Sequence, residues 1–363
     1  MILLRRAIAA IAAVALVAVA PTAAYADSTR DGQWWLKALD IAEVHRITKG
    51  AGVTVAVIDT GVYAKHPDLK GVVVGGIDTI DNDTRIIDDS GHGTGMTSIL
   101  AGRGHGGGRG MLGIAPEAKV LAVRPNDDAL FVNKGIDWAV AHGAKVINMS
   151  FGLPSSEGLQ AAVRRAAAKD VVLVASVGNT GDKDNAEEFP GGYPEVIGVG
   201  AVDRKGKVAK FSQHGEQVDI VAPGVDIVQA DVGDGYRTGF GSSNASAIVA
   251  GAAALIRAKY PELTAQQVTD RLIATSEDRG AKGRDDFYGH GALNLAEALT
   301  APQPAASSAA PATAPAGPAV ATGNDDSSGG GIPPLVFVAG GLLLLIVAVL
   351  AVVLAVRSSR RTA

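Results

Sequence analysis

The chain has 363 residues, a net charge of −4 and no cysteine. No disulfide scaffold is available to it, and no basic cluster points to a nucleic-acid partner. Roughly 270 residues between two apolar ends are ample for one large core.

In chain order, residues 1–26 come first, with Arg5 and Arg6, an apolar run from Ala7 to Ala20, and Ala24-Tyr25-Ala26 before Asp27. This is the pattern of a signal peptide, too short for a stable membrane span. Residues 27–49 follow as an arm expected to pack on the domain behind it through Trp34, Trp35 and Leu39. About 25 residues before Val53 are too few for a folded pro-domain, so the chain is expected to fold unaided.

Over residues 50–300, near-continuous apolar runs alternate with helical spacing. The predicted strands are Val53–Ile58, Val120–Val123, Val146–Met149, Val171–Val177 and Val196–Val202; Met96–Ala101, Lys134–Ala141 and Glu157–Ala168 are predicted helices. Strands apolar on both faces argue a mostly parallel sheet covered by helices on both sides, an α/β domain of three layers. Functional groups then gather at the carboxyl ends of the strands. A further helix, Asn244–Lys259, is built from residues small enough for close central packing and is stopped by Pro261. Thr264-Ala-Gln-Gln267 is a capping box for the next one.

Residues 301–334 are almost wholly Ala, Pro, Ser, Gly and Thr, with Asp325 and Asp326 the only charges. Such a segment behaves as a linker with a reach of roughly 30 Å. Leu335–Val356 is an uncharged apolar stretch of about 33 Å as a helix, enough to span a bilayer. Arg357, Arg360 and Arg361 follow, so the positive-inside rule places the tail, 357–363, in the cytoplasm.

Three short segments carry chemistry: Val-Ile-Asp59-Thr-Gly, Ser-Gly-His92-Gly-Thr and Gly-Ser-Ser243-Asn-Ala-Ser. A serine hydroxyl becomes a nucleophile when a neutral imidazole takes its proton. The imidazole needs a carboxylate to fix its tautomer and stabilise the imidazolium. Singly, Asp59 reads as a strand-end residue, His92 as a turn and Ser243 as a helix cap; together they read as a nucleophile–base–orienter set. Asn179, after a predicted strand and between Gly178 and Gly181, completes it as a donor to a developing oxyanion, with the Ser243 N–H as the second donor. A rival pairing of Asp59-Thr-Gly with Asp89-Ser-Gly, in the manner of aspartic proteases, needs two similar all-β halves, which the strand–helix alternation excludes.

On these segments, and on Gly113–Val123, Asn148–Gly152 and Tyr193–Val202, the chain from about Trp35 to Leu299 resembles the subtilisin-like (subtilase, S8) serine proteases, which share its Asp…His…Ser order. Arg103-Gly-His-Gly-Gly-Gly-Arg-Gly-Met-Leu-Gly-Ile-Ala-Pro116-Glu, Trp34-Trp-Leu-Lys-Ala-Leu-Asp-Ile and the layout of signal, protease, linker and C-terminal helix narrow the resemblance to the mycosins, membrane-anchored proteases that accompany type VII secretion. It departs from the subtilase pattern at Gly95, where most members have His, at Ser242, where they have Thr, and at Ser246-Ala247, where they have Ala-Pro. Mycosins usually carry cysteines; this chain has none.

The resemblance implies that substrate lies as an added strand along Ser150-Phe151-Gly152. It also places Glu187 or Glu188, just before Phe189-Pro190, near the substrate's P1 side chain. A carboxylate partly withdrawn from water there favours Lys or Arg; alternatively both glutamates face solvent. The acidic loop from Asp78 to Asp89 lacks the alternating spacing of a calcium loop and reads as a solvated loop, so no metal or cofactor is expected. His45, His66, His142, His214 and His290 read as surface or packing residues, and the glycine-rich run around His105 is no phosphate loop.

The expectation is a membrane-anchored, extracytoplasmic serine endopeptidase acting on protein or peptide substrates, with type VII secretion components as partners and the lipid bilayer engaged through one C-terminal helix. Two other readings stay open: a structural stabiliser of a secretion complex whose proteolysis is dispensable, and a generic surface protease.

Overall fold

The structure is a computed structural model that describes residues 28–302. The expected signal peptide, linker, membrane span and tail lie outside the described residues. Among the described residues no helix is long and apolar enough to cross a membrane.

The elements run, in chain order, as α1 (Ser28–Gly32), α2 (Trp34–Ala38), α3 (Ile41–Ile47), β1 (Thr54–Ile58), β2 (Val73–Asp78), α4 (His92–Ala101), β3 (Arg103–His105), β4 (Arg109–Leu112), β5 (Lys119–Arg124), α5 (Ala129–Ala141), β6 (Val146–Met149), α6 (Glu157–Ala167), β7 (Val172–Ser176), β8 (Ile197–Val202), β9 (Ile220–Pro223), β10 (Ile227–Ala230), β11 (Tyr236–Gly239), α7 (Ser242–Lys259), α8 (Ala265–Ala274) and α9 (Leu295–Thr300). Seven strands form one sheet in the order β2-β5-β1-β6-β7-β8-β9, every pair parallel. Two antiparallel hairpins, β3–β4 and β10–β11, lie outside it.

The pleat divides the core. On β1, Val55 and Val57 join the cluster that holds Met96, Ile99 and Leu100 of α4 and most of α7. Ala56 and Ile58 join the opposite cluster, with Val132 and Ile136 of α5 and Leu159 and Val163 of α6. Successive strand side chains point to opposite faces, so both faces of these apolar strands are covered. The sequence expectation of a three-layer α/β domain holds in this arrangement.

Helix α7 is the central one. Every residue from Ser242 to Arg257 is buried, which the small side chains of Ala245–Ala254 permit. It runs unbroken through Ser246-Ala247, so the helix forms without the proline of the subtilase pattern. Thr264 and Gln267 make both bonds of a capping box at the start of α8. The expected boundaries shift at two helices: α4 starts at His92 rather than Met96, and α5 at Ala129, where the Asp128 carboxylate accepts the Leu130 N–H. Polar or glycine-rich first turns hid both starts.

The arm before Gly50 is folded onto this domain as α1–α3. Trp35, Ile41 and Val44 are buried in the main core with Leu39. The buried Gln33 amide exchanges two hydrogen bonds with the backbone of Leu112, each 2.9 Å.

Candidate active site

Asp59 follows the last residue of β1, and its N–H still bonds the Val123 carbonyl of β5 at 2.9 Å, extending the ladder by one step. Its side chain therefore emerges at the carboxyl edge of the sheet. His92 is the first residue of α4, after Gly91, whose backbone takes the left-handed conformation that glycine allows. Their side chains meet: His92 Nδ1 lies 2.7 Å from Asp59 Oδ1, which also accepts the Thr60 N–H at 2.8 Å. Asp59 is buried, while the His92 side chain is 35% exposed. The carboxylate beside it raises the His92 pKa above the ordinary 6.5, against burial, which lowers it. With Nδ1 committed to Asp59, Nε2 is the nitrogen left for proton transfer.

Ser243 stands in the first turn of α7 and is 8% exposed. Its hydroxyl donates to the Ser150 carbonyl at 3.1 Å, and no hydrogen bond joins it to His92 among the described residues. Ser150, Phe151 and Leu153 line a cleft together with Asp59, Thr60 and His92. The hydroxyl thus rests on the Ser150 edge of the cleft that the imidazole borders.

Asn179 lies beyond β7. Its Oδ1 accepts the Ser242 N–H at 2.8 Å, which identifies the oxygen and turns the NH₂ group away from Ser242. The position a Cβ on Gly241 would take is 3.6 Å from Asn179 Nδ2 and 3.7 Å from the Ser243 nitrogen. Gly241 has φ +150°, and its lack of a side chain keeps open the space that these two donors share. First-turn N–H groups of a helix have no partner within it, and the helix dipole adds to their pull on an anion.

The departures from the subtilase pattern acquire partners here. The Ser242 hydroxyl accepts the Gly178 N–H at 3.2 Å and lies 3.0 Å from the Gly178 carbonyl and 3.1 Å from Asn179 Oδ1. Ser246 Oγ donates to the Ser243 carbonyl at 2.9 Å and sits 2.8 Å from Ser150 Oγ, which also accepts from Asn148 Nδ2 at 2.9 Å. A Cβ on Gly95 would lie 2.3 Å from Gln229 Oε1, so the Gln229 side chain fills that space.

Glu188 and Glu187 part company. Glu187 is exposed; Glu188 is half-buried beside Gly152, its carboxyl held above the usual range by burial. Of the acidic loop, Asp78 pairs with Arg124 at 2.5 Å and Asp83 with Arg85 at 2.6 Å. Among the described residues no group of three acidic or histidine side chains is placed to hold a metal. His66 is fully buried, bonded to the Gly235 carbonyl at 3.1 Å, and His45 is half-buried against the Ile114 carbonyl at 2.9 Å.

Asp88 is a residue that sequence reading passed over. Its oxygens accept from the hydroxyls of Thr60 (2.8 Å) and Thr94 (2.6 Å) and from the N–H groups of Gly91 (2.9 Å) and Thr94 (2.8 Å). Burial alone would raise its pKa; these bonds hold it below the usual carboxylate value. It caps α4 and ties that helix to the Asp59 loop. An acidic residue just ahead of a helix is a start signal, masked here by the aspartates around it.

A sequence model of the subtilase family, Peptidase S8, matches residues 50–291. Subtilisin DY of Bacillus licheniformis is 40% identical over 256 residues, 68% of this chain and 90% of that protein. Two solved structures are also similar. MycP1, solved with its N-terminal propeptide removed, has a TM-score of 0.66 and 29% identity, covering 75% of this chain and 98% of that one. The MycP3 protease of the type VII (ESX-3) secretion system has a TM-score of 0.65 and 33% identity, covering 74% and 88%. The chain belongs to the subtilase family and is a subtilisin-like serine endopeptidase.

Proposed function

We propose that this endopeptidase works through Asp59, His92 and Ser243, with the oxyanion held by Asn179 and the Ser243 N–H. The observation that carries the proposal is the convergence of Asn179 Nδ2 and the Ser243 nitrogen on the space at Gly241, beside a histidine already paired with its carboxylate at 2.7 Å.

Ser243 Oγ attacks the substrate carbonyl as its proton passes to His92 Nε2. Asp59 stabilises the imidazolium, and the two donors take the negative charge of the tetrahedral intermediate. Collapse expels the amine, which receives the proton from His92 and leaves an acyl-enzyme. Water, activated by the same imidazole, then releases the acid. Attack requires the Ser243 hydroxyl to leave the Ser150 carbonyl and turn to His92, a side-chain rotation of the kind that substrate binding tightens.

The test is fluorophosphonate labelling, followed by mapping of the modified residue, with three alanine variants. Ser243→Ala should lose the label and reduce kcat by about 10⁶, while Ser242→Ala and Ser246→Ala keep the label. Loss of the label from either of the latter with Ser243→Ala active would overturn the assignment.

The finer setting of the reading is an extracytoplasmic protease tethered to the cell membrane by 335–356 and acting with type VII secretion. The hydropathy of that segment and the similarity to the MycP3 protease of a type VII system support it. Secretion measured in a deletion strain complemented with Ser243→Ala decides between proteolysis and scaffolding. Restored secretion would assign the chain a structural role; failure to restore, with normal levels of the variant, assigns a proteolytic one.

A further inference from the structure

The most unusual charged group near the site is Glu188. An isolated antiparallel bridge joins Leu153 and Phe189, with Leu153 N–H to the Phe189 carbonyl at 2.7 Å and Phe189 N–H to the Leu153 carbonyl at 2.9 Å. This pairing fixes the Glu188 backbone alongside the segment that starts at Ser150. The Glu188 carboxylate then enters between two glycines: Oε2 would be 1.8 Å from a Cβ on Gly152 and 2.9 Å from one on Gly178. Any side chain at Gly152 would displace it.

Those glycines adjoin the reacting groups. Gly152 is two residues beyond Ser150, whose carbonyl holds the Ser243 hydroxyl; Gly178 precedes Asn179. Phe151 and Leu153 line the His92 cleft, and extended residues alternate sides, so Gly152 opens to the other side, toward Glu188. A peptide extended along this segment, its scissile carbonyl at Ser243 and Asn179, alternates in the same way. The side chain before the scissile bond (P1) faces Glu188, and the one before it faces the His92 cleft.

Glu188 also lacks a counterion. Gln213, itself fully buried, donates Nε2 to Glu188 Oε1 at 3.1 Å and to Thr180 Oγ1 at 3.0 Å. No lysine, arginine or histidine pairs with the carboxylate among the described residues. Burial and then the negative charge of Asp184 push its pKa up. A half-buried carboxylate braced by an amide and backed by a second acid is a poor wall for an apolar side chain and a good one for a cation.

Resting on the proteolytic reading above, we infer that Glu188 makes this an endopeptidase selective for Lys or Arg at P1, with Gln213 as the positioning residue that holds the carboxylate. Broad, apolar P1 acceptance is thereby excluded.

The experiment uses the full-length chain in detergent and a peptide library varied at P1, with fluorophosphonate labelling of Ser243 measured in parallel. Wild type should cleave after Lys and Arg with kcat/KM about tenfold or more above Leu and Phe, solvent screening setting the lower bound. Glu188→Gln should erase that preference, and Glu188→Lys should turn it toward acidic P1 residues. Glu187→Gln should leave it intact, and Gln213→Ala should weaken it through KM with the label retained. Labelled enzyme without basic P1 enrichment, or with an unchanged profile in Glu188→Gln, overturns the inference alone. Absence of the label at Ser243 in the wild type removes the nucleophile assignment and the inference with it. A variant that fails to label for want of folding is replaced by the wild-type comparison of covalent inactivation by P1-Lys and P1-Phe peptidyl phosphonates, where faster reaction of the P1-Phe reagent overturns it.

Discussion

The Ser242 N–H donates to Asn179 Oδ1 at 2.8 Å, so the residue beside the nucleophile sets the direction of the amide that faces the oxyanion space. The same bond that orients Asn179 leaves its NH₂ group as a fixed donor, needing no reorganisation when charge develops. Asn179→Ala should therefore lower kcat by about 10²–10³ with KM little changed, since the bond forms mainly in the transition state. Steady-state kinetics on one peptide substrate check this; a change confined to KM would make Asn179 a ground-state contact.

The histidine gives a pH prediction. Asp59 raises the pKa of His92 above the ordinary 6.5, and the active form is the neutral imidazole. Activity should thus fall as pH drops through a value above 6.5. Asp59→Asn removes the charge, so the acid limb should move to lower pH while kcat falls by about 10⁴. The stability sign is opposite. Because the folded-state pKa is the higher one, the Asp59–His92 attraction stabilises the fold fully below pH 6.5 and is lost as pH rises through the raised value. Comparing pH–rate and pH–melting profiles of wild type and Asp59→Asn checks both.

Asp88 should matter for stability as well as rate. It is 6% exposed and serves two threonine hydroxyls and the first turn of α4. Asp88→Ala leaves those donors buried without an acceptor, at a cost of about 3 kcal/mol. Its depressed pKa means that its contribution is complete above the ordinary carboxylate value and lost as pH falls through the lower, folded-state one. Denaturant melts at neutral and acidic pH should converge for wild type and variant as the carboxylate protonates; a gap unchanged with pH would mean the loss is one of packing.

Much of this architecture is legible in the residues themselves. The five predicted strands are all strands of the central sheet, because parallel strands buried on both faces must be apolar throughout. The edge strands are harder to see: Gly75 and Gly76 interrupt β2, and β9 spans four residues and ends in Pro223. Asp59, His92, Ser243 and Asn179 are visible because each sits beside a glycine at an element's end. Gln213 is not: it comes from a loop with no local pattern, and only the tertiary fold carries it to Glu188. Ser246 likewise reads as a departure from a motif until its hydroxyl is placed between Ser150 and the Ser243 carbonyl.

The arm supplies the last prediction. Trp35 is fully buried, Gln33 pairs with the Leu112 backbone, and Trp34 Nε1 lies 3.1 Å from the carbonyls of Val225 and Asp226. Arg30 Nε adds a bond of 2.9 Å to the Gly110 carbonyl. A segment removed as a propeptide would expose the core surface that Trp35, Ile41 and Val44 cover, and would strand the Leu112 groups. Trp35→Ala should thus destabilise the protein by about 3–5 kcal/mol, and Gln33→Ala by about 1–3 kcal/mol, both read from denaturant melts. N-terminal sequencing of the mature protein should begin at Asp27, with the arm retained. A mature start near Gly50, with activity and melting point undiminished, would show instead that the arm is a removable cover.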